Sequence, residues 1–220
     1  MSSPAAARRI QPWSLWLIAA FLLGGVLVSV NYVKRNRVEA LDPRPPYLGK
    51  VERDLAAQNR DGSTVHLASL KGKIWLASYL YTGSPQQAPA VTRLLKGIWE
   101  EFGRDPRLHV VTFSANPDGD TPEKRTDFLR QHGADDPRWW FLTADARDLN
   151  RLISRYLQLM PAHPVSSPEL AASWGPLEHD LRVVLIDDKA NVRGRYQLLP
   201  PGIQTQQLAR LRRDLRYLLE

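Results

Sequence analysis

The chain has 220 residues, 43% of them hydrophobic and 24% charged, a length and balance that fit one well-cored domain with an appendage and exclude a disordered or fibrous protein. Its net charge of +7 is gathered at the start: Arg8, Arg9, Lys34, Arg35 and Arg37 precede residue 39 with no acid among them, leaving 25 basic against 23 acidic residues in the rest. A basic excess confined to one short segment argues against nucleic acid as a partner. The absence of cysteine excludes disulfides, thiolate metal sites and thiol catalysis by the chain's own residues, and it identifies no compartment.

Residues 13–33 read WSLWLIAAFLLGGVLVSVNYV, 21 residues without a charge, with Trp13, Trp16 and Tyr32 near the ends and basic residues on both flanks. At ~1.5 Å per residue a helix of this length covers the ~30 Å hydrocarbon core of a bilayer, and its aromatics fall where interfacial aromatics belong. The run predicts a single-pass transmembrane anchor. A cleaved signal peptide is the rival, but its apolar core is usually only about 7 to 15 residues long and no A-x-A-like cleavage site follows here. Two arginines before the run and three basic residues after it do not choose an orientation. Residues 1–12 are then a short tail, and 34–47, basic and ending in the proline-rich LDPRPPY, a semi-extended linker. The folded domain is expected over 48–220.

Asp61-Gly62 followed by the alternation of Thr64, Val65, His66 and Leu67 reads as a hairpin with His66 toward solvent. IWLASYLY, 74–81, is an apolar run of strand length, as expected for a strand covered on both faces. After the turn YTGSPQQAP, the residues Val91, Leu94, Leu95, Ile98, Trp99 and Phe102 recur at helical spacing. LHVVTFSA, 108–115, is a second buried strand. A helix follows, with Asp120 or Thr121 as its cap, Pro122 in its first turn and Gly133 as its stop. WWFLTAD gives a third strand, and Leu149, Leu152, Ile153, Tyr156 and Leu157 another helix. Residues 158–178, with four prolines and no period, read as a long loop. LRVVLIDD and KANVRGRYQL form a second hairpin, with Asp187 and Asp188 at its turn. Thr205 is the expected cap of a last helix carrying Leu208, Leu211, Leu215, Leu218 and Leu219 on one side. Alternating strands and helices followed by an antiparallel pair predict an α/β, thioredoxin-like fold, a central mixed sheet flanked by helices.

DGSTVHLASLKGKIWLASYLYTGSP, VVTFSANPDGDTPE, WWFLTAD and LEHDLRVVLIDDKANVRG together resemble the SCO/SenC family of membrane-anchored, thioredoxin-fold proteins that serve copper delivery to cytochrome c oxidase. The second stretch is the most specific: Pro117, Asp120, Thr121 and Pro122 stand as in the family, while Asn116 replaces an aspartate. The resemblance covers nearly the whole chain. It implies a protein of the inner (cytoplasmic) membrane with its domain on the periplasmic, extracytoplasmic side, working near oxidase assembly through a protein partner, with no small-molecule substrate evident.

The family's copper site has two cysteines four positions apart after the first central strand and a histidine just before a late strand. Those positions fall on Ser84, Ala88 and His179, with Pro85 and Pro89 retained. Thiolates select copper(I), a neutral hydroxyl is a poor ligand and a methyl is none. With Met1 and Met160 the only methionines, no thioether cluster replaces the sulfur. The expectation is therefore a member with a degenerate site, no cofactor, no redox catalysis and an action through partner binding. The alternative is a copper chaperone or thiol-disulfide-type oxidoreductase relative that retains metal binding through His179 and a partner's ligands. Ser84 lacks a G-x-S-x-G setting and is expected to form a turn or cap a helix. His179 reads as a remnant ligand, a hydrogen-bonded neighbour of the site or a surface histidine. His163 is expected to be exposed, and His109 and His132 to lie at element edges. NPDGD lacks the distal glutamate of a calcium loop.

Overall fold

The computed structural model describes residues 12–41 and 44–220. The chain divides into two units, the first ending at Pro43 and the second spanning Arg44–Glu220.

The first unit contains one helix, α1, Pro12–Leu41. The helix runs eight residues beyond Val33, through a stretch expected to be linker, because Lys34, Arg35, Arg37, Glu39 and Ala40 are good helix formers and no proline stands between Val33 and Pro43. Phe21, Leu22 and Leu23 are 83%, 62% and 65% exposed; consecutive residues lie about 100° apart on a helix, so its apolar surface is not confined to one face. Among the described residues no helix is long and apolar enough to cross a membrane. The expected tail falls outside the described residues, apart from Pro12.

The second unit is built on a six-stranded sheet. Its strands are β1 Gly49–Lys50, β4 Ile74–Leu80, β5 Leu108–Ser114, β6 Trp139–Leu142, β9 Arg182–Ile186 and β10 Asn191–Gln197, with β2 Ala56–Gln58 and β3 Thr64–His66 forming the expected first hairpin apart from it. The order across the sheet is β1-β10-β9-β4-β5-β6. β4, β5 and β6 are parallel, paired from Ile74 with Leu108 to Leu80 with Ser114 and from Val110 with Trp139 to Phe113 with Leu142. β9 runs antiparallel to both β4 and β10. This is the mixed sheet that the sequence predicts.

All seven residues of β4 are buried, because both faces of the sheet are covered. Ile74, Leu76 and Leu80 enter a core shared with α2, Gln87–Phe102, through Val91, Leu95 and Ile98; with α3, Pro122–Gln131, through Phe128 and Leu129; and with the last helix through Leu211 and Leu215. Trp75, Ala77 and Tyr79 enter the opposite core with Leu149 of α4, Ala146–Arg151, and with Leu152 and Ile153 of the π-helical turn that prolongs it. The period-2 alternation of a strand thus divides one apolar run between two cores.

Thr121 caps α3, its side chain accepting from the Lys124 amide, and Gly133 leaves that helix at φ +64°, a conformation that favours glycine. Residues 158–178 are not a plain loop. They contain β7, His163–Pro164, the helix α5, Pro168–Trp174, and β8, Leu177–Glu178. Ser167 caps α5 and Pro168 opens it, a start signal too short-lived in sequence to create a helical period. The last helix, α6, spans Pro201–Leu219 with Pro200 at its N-cap, so Thr205 lies inside it and is not the cap. The second proline fits the first turn, where no amide donor is required.

Candidate functional site

β4 ends where the predicted ligand positions begin. Ser84 lies in the turn after the strand, its amide bonded to the Tyr81 carbonyl at 3.2 Å. The turn expectation holds and the capping one does not, since Gln86 occupies the N-cap of α2. Ser84 is 1% exposed, and its hydroxyl donates to the carbonyl of Trp174 at 3.2 Å. Ala88, in the first turn of α2, is fully buried with Leu80, Val91 and Leu95, and its methyl serves packing.

His179 is buried at 5% exposure. It meets Tyr81 edge-on with ring centroids 5.3 Å apart and Tyr79 at 5.9 Å. Its burial removes the surface reading of this residue, and neither ring nitrogen meets a partner in good hydrogen-bond geometry. Burial lowers the imidazole pKa to about 4; the nearby Leu177 backbone and Asp180 carboxylate pull the other way without restoring it. A buried neutral imidazole left without a hydrogen-bond partner costs about 1–3 kcal/mol relative to a satisfied one.

Tyr81 links the two positions. Its hydroxyl donates to the same Trp174 carbonyl at 3.1 Å, while its ring lies against His179. The Leu177 amide bonds the Tyr81 hydroxyl at 3.4 Å, and the Ala162 amide bonds the Tyr79 hydroxyl at 3.3 Å. Segment 158–178 is therefore pinned over the end of β4 by three side chains, although α5 buries none of its own residues. Gly175 makes the approach possible: its φ is +92°, and a Cβ there would stand 2.1 Å from the Tyr81 hydroxyl. Burial raises the pKa of both Tyr79 and Tyr81, so each hydroxyl remains a donor at neutral pH.

Asp120 holds the other side of the turn. It is 2% exposed and accepts from the Thr82 amide at 3.0 Å, the Thr82 hydroxyl at 2.6 Å and the Ser114 hydroxyl at 2.5 Å. Behind it Arg125, fully buried, donates to the carbonyls of Gln58 at 2.8 Å and Phe141 at 2.6 Å. Burial lowers the Arg125 pKa, against the pull of Asp120. The sequence singles out Asp120 as a cap candidate and as a family-motif position but not as the acceptor that holds this turn, and it does not single out Tyr79, Tyr81, Trp174 or Gly175. The i, i+2 spacing of the tyrosines, which puts them on one strand face, was the available signal.

The model of the SCO1/SenC family matches residues 47–213. The chain belongs to the SCO1/SenC family. A curated family relative, the SCO1 protein homolog of Bacillus subtilis strain 168, is 30% identical over 87 residues, a match covering 39% of this chain and 45% of the relative. The chain thus matches less than half of that relative's length. A SCO1/SenC family lipoprotein from Bacillus anthracis aligns in structure with TM-score 0.66 and 23% identity over 80% of this chain and 99% of its own. Copper-bound ScoI of Bradyrhizobium japonicum aligns with TM-score 0.55 and 21% identity over 74% and 98%. At these identities the structural likenesses establish the fold, which is the thioredoxin-like Sco fold.

The residues at the predicted ligand positions do not make up a copper(I) site. Ser84 offers a hydroxyl already committed to a carbonyl, Ala88 offers no donor, and one imidazole remains. Among the described residues no three His, Cys, Asp or Glu side chains group to hold a metal. His163 is exposed, with Nε2 3.5 Å from Glu178, and His66 is exposed and paired with Asp54. His132 stands at the C-cap of α3 and His109 is the second residue of β5.

Proposed function

We propose that this protein is an accessory factor of respiratory oxidase assembly, anchored in the inner membrane by α1, that acts by binding a protein partner without copper or thiol chemistry of its own. Sco proteins are cytochrome c oxidase assembly proteins, and copper-bound members are known. The observation that carries the non-metal reading is the Ser84–Trp174 hydrogen bond. Where the family would place its first thiolate, this chain has a hydroxyl tied to its own backbone, and where it would place the second, a methyl packed in the core. Thiol-disulfide exchange needs an attacking thiolate, and the chain has no cysteine.

The anchor rests on the uncharged run 13–33, its flanking basic residues and the apolar side chains exposed on more than one face of α1, as a lipid environment requires. The periplasmic placement of the domain follows from family membership alone.

A second reading is favoured by one feature. The orphaned nitrogens of His179 offer one ligand to a copper ion whose remaining ligands come from a partner. Titration of the unit 44–220 with copper(I) against a chromogenic chelator separates the two readings: the proposal expects no stoichiometric binding, and binding lost in His179→Ala would establish the second. Affinity capture of the full chain from solubilised membranes tests the assembly role. Oxidase subunits or their assembly factors should co-purify, and their consistent absence would remove that role.

A further inference from the structure

A second concavity lies at the other end of β4 from Ser84. Its volume is about 470 Å³, within the ~300–1,000 Å³ range of small-molecule sites. The floor is apolar: Leu67 and Leu70, from the 3-10 turn Leu67–Leu70 after β3, and Trp75 at the start of β4 are 6%, 3% and 2% exposed. The rim is basic. Lys50 from β1, Lys71 after the 3-10 turn and Lys189 from the β9–β10 turn are all exposed, and among the described residues none of their ammonium groups has a hydrogen-bond or ion-pair partner.

The other charges at the rim do not cancel them. Asp54 already accepts from His66 Nδ1 at 2.7 Å and from the Ala68 amide at 2.8 Å, and Arg53 is paired with Asp148 at 3.7 Å. Asp54 keeps its charge in these bonds, so Glu52, Asp54 and Asp188 stand against Lys50, Arg53, Lys71 and Lys189, and the lining keeps an excess of one base over acid. An apolar floor under a ring of uncommitted cations suits a ligand with an apolar body and an anionic head. The elements that make the groove are tied to one another, the Val51 amide bonding the Ala190 carbonyl at 2.9 Å and the Gly72 amide bonding the Asp188 carbonyl at 2.9 Å.

We propose that this groove is a binding site for an amphiphilic anion, its apolar body over Leu67, Leu70 and Trp75 and its phosphate or carboxylate head among Lys50, Lys71 and Lys189. The site is separate from the Ser84 turn: β4 spans seven residues, roughly 20 Å at ~3.3 Å per residue.

The unit 44–220 contains both cores and serves for the test. Calorimetric titration with dodecyl phosphate below its micelle concentration should show saturable binding of one molecule. Dodecyltrimethylammonium should bind at least tenfold more weakly. The variant Lys50→Ser/Lys71→Ser/Lys189→Ser, which alters exposed side chains alone, should lose at least tenfold in affinity for dodecyl phosphate while keeping its circular dichroism spectrum. Flotation with phosphatidylglycerol and phosphatidylcholine vesicles separates the sources. Lysine-dependent association with the former alone marks a lipid head group as the ligand, and binding in solution without vesicle association marks a free amphiphile; either outcome supports the site. Equal affinity for the two detergents, an unchanged triple variant, or no saturable binding of dodecyl phosphate overturns it.

Discussion

The Ser84 hydroxyl donates to the Trp174 carbonyl at 3.2 Å across 90 positions of sequence. The bond joins the turn after the central strand to the C-terminal end of α5, and Tyr81 doubles it with a donation of its own at 3.1 Å. A carbonyl with two lone pairs accepts both. The end of a helix that buries no side chain is thereby satisfied by the turn after the central strand.

Removing that closure in steps should show how much each contact contributes. Ser84→Ala deletes one neutral hydrogen bond and should lower stability by about 1 kcal/mol, read as a small drop in denaturation midpoint. Gly175→Ala puts a Cβ 2.1 Å from the Tyr81 hydroxyl at φ +92°, a strain and clash expected to cost about 2–4 kcal/mol. In both variants the Ala162 and Leu177 amides should exchange with solvent faster than in the parent. An unchanged midpoint in Gly175→Ala would show that the segment is not pinned as described.

Asp120→Asn tests the opposite wall of the turn. The carboxylate accepts three hydrogen bonds from Thr82 and Ser114, and the amide would turn a donor toward one of them. Hydrogen bonds to a charged group are worth about 1.5–3 kcal/mol each, so the variant should lose about 2–3 kcal/mol in urea denaturation. Arg125 loses its countercharge in the same step. Asp118→Asn, two positions earlier, has no such partners and should leave stability within about 0.5 kcal/mol.

The strands and helices with long apolar periods were legible because burial on one or two faces writes itself into spacing. β4 and α2 follow directly from IWLASYL and from Val91, Leu95 and Ile98. α5 was not legible as a helix, since it buries nothing and so leaves no apolar stripe. The course of α6 was clear while its start was misread, because Thr205 offers a hydroxyl and Pro201 offers a fixed φ, and the proline prevailed. Ser84, Ala88 and His179 were singled out by family resemblance. Their surroundings could not be, because the Trp174 carbonyl and the Gly175 φ are backbone features that side-chain identities do not announce.

His179 should make the protein acid-labile in a way that one substitution removes. Its pKa falls from 6.5 to about 4 on folding, through burial. Between those values the unfolded chain binds a proton that the native state refuses, so stability is full above pH ~6.5 and declines as pH falls, by about 1.4 kcal/mol per unit, until the native imidazole also protonates near pH 4. Several carboxylates with lowered pKa, among them Asp54, Asp61 and Asp105, weaken the fold in the acid range as well, so the comparison must be differential. His179→Phe keeps a ring against Tyr79 and Tyr81 and removes two unpartnered nitrogens, which is expected to be neutral or stabilising at pH 7. From pH 7 to pH 4.5 the parent should lose about 2–3 kcal/mol more than the variant in chemical denaturation. Parallel losses in the two proteins would mean that the imidazole is solvated or paired in the native state.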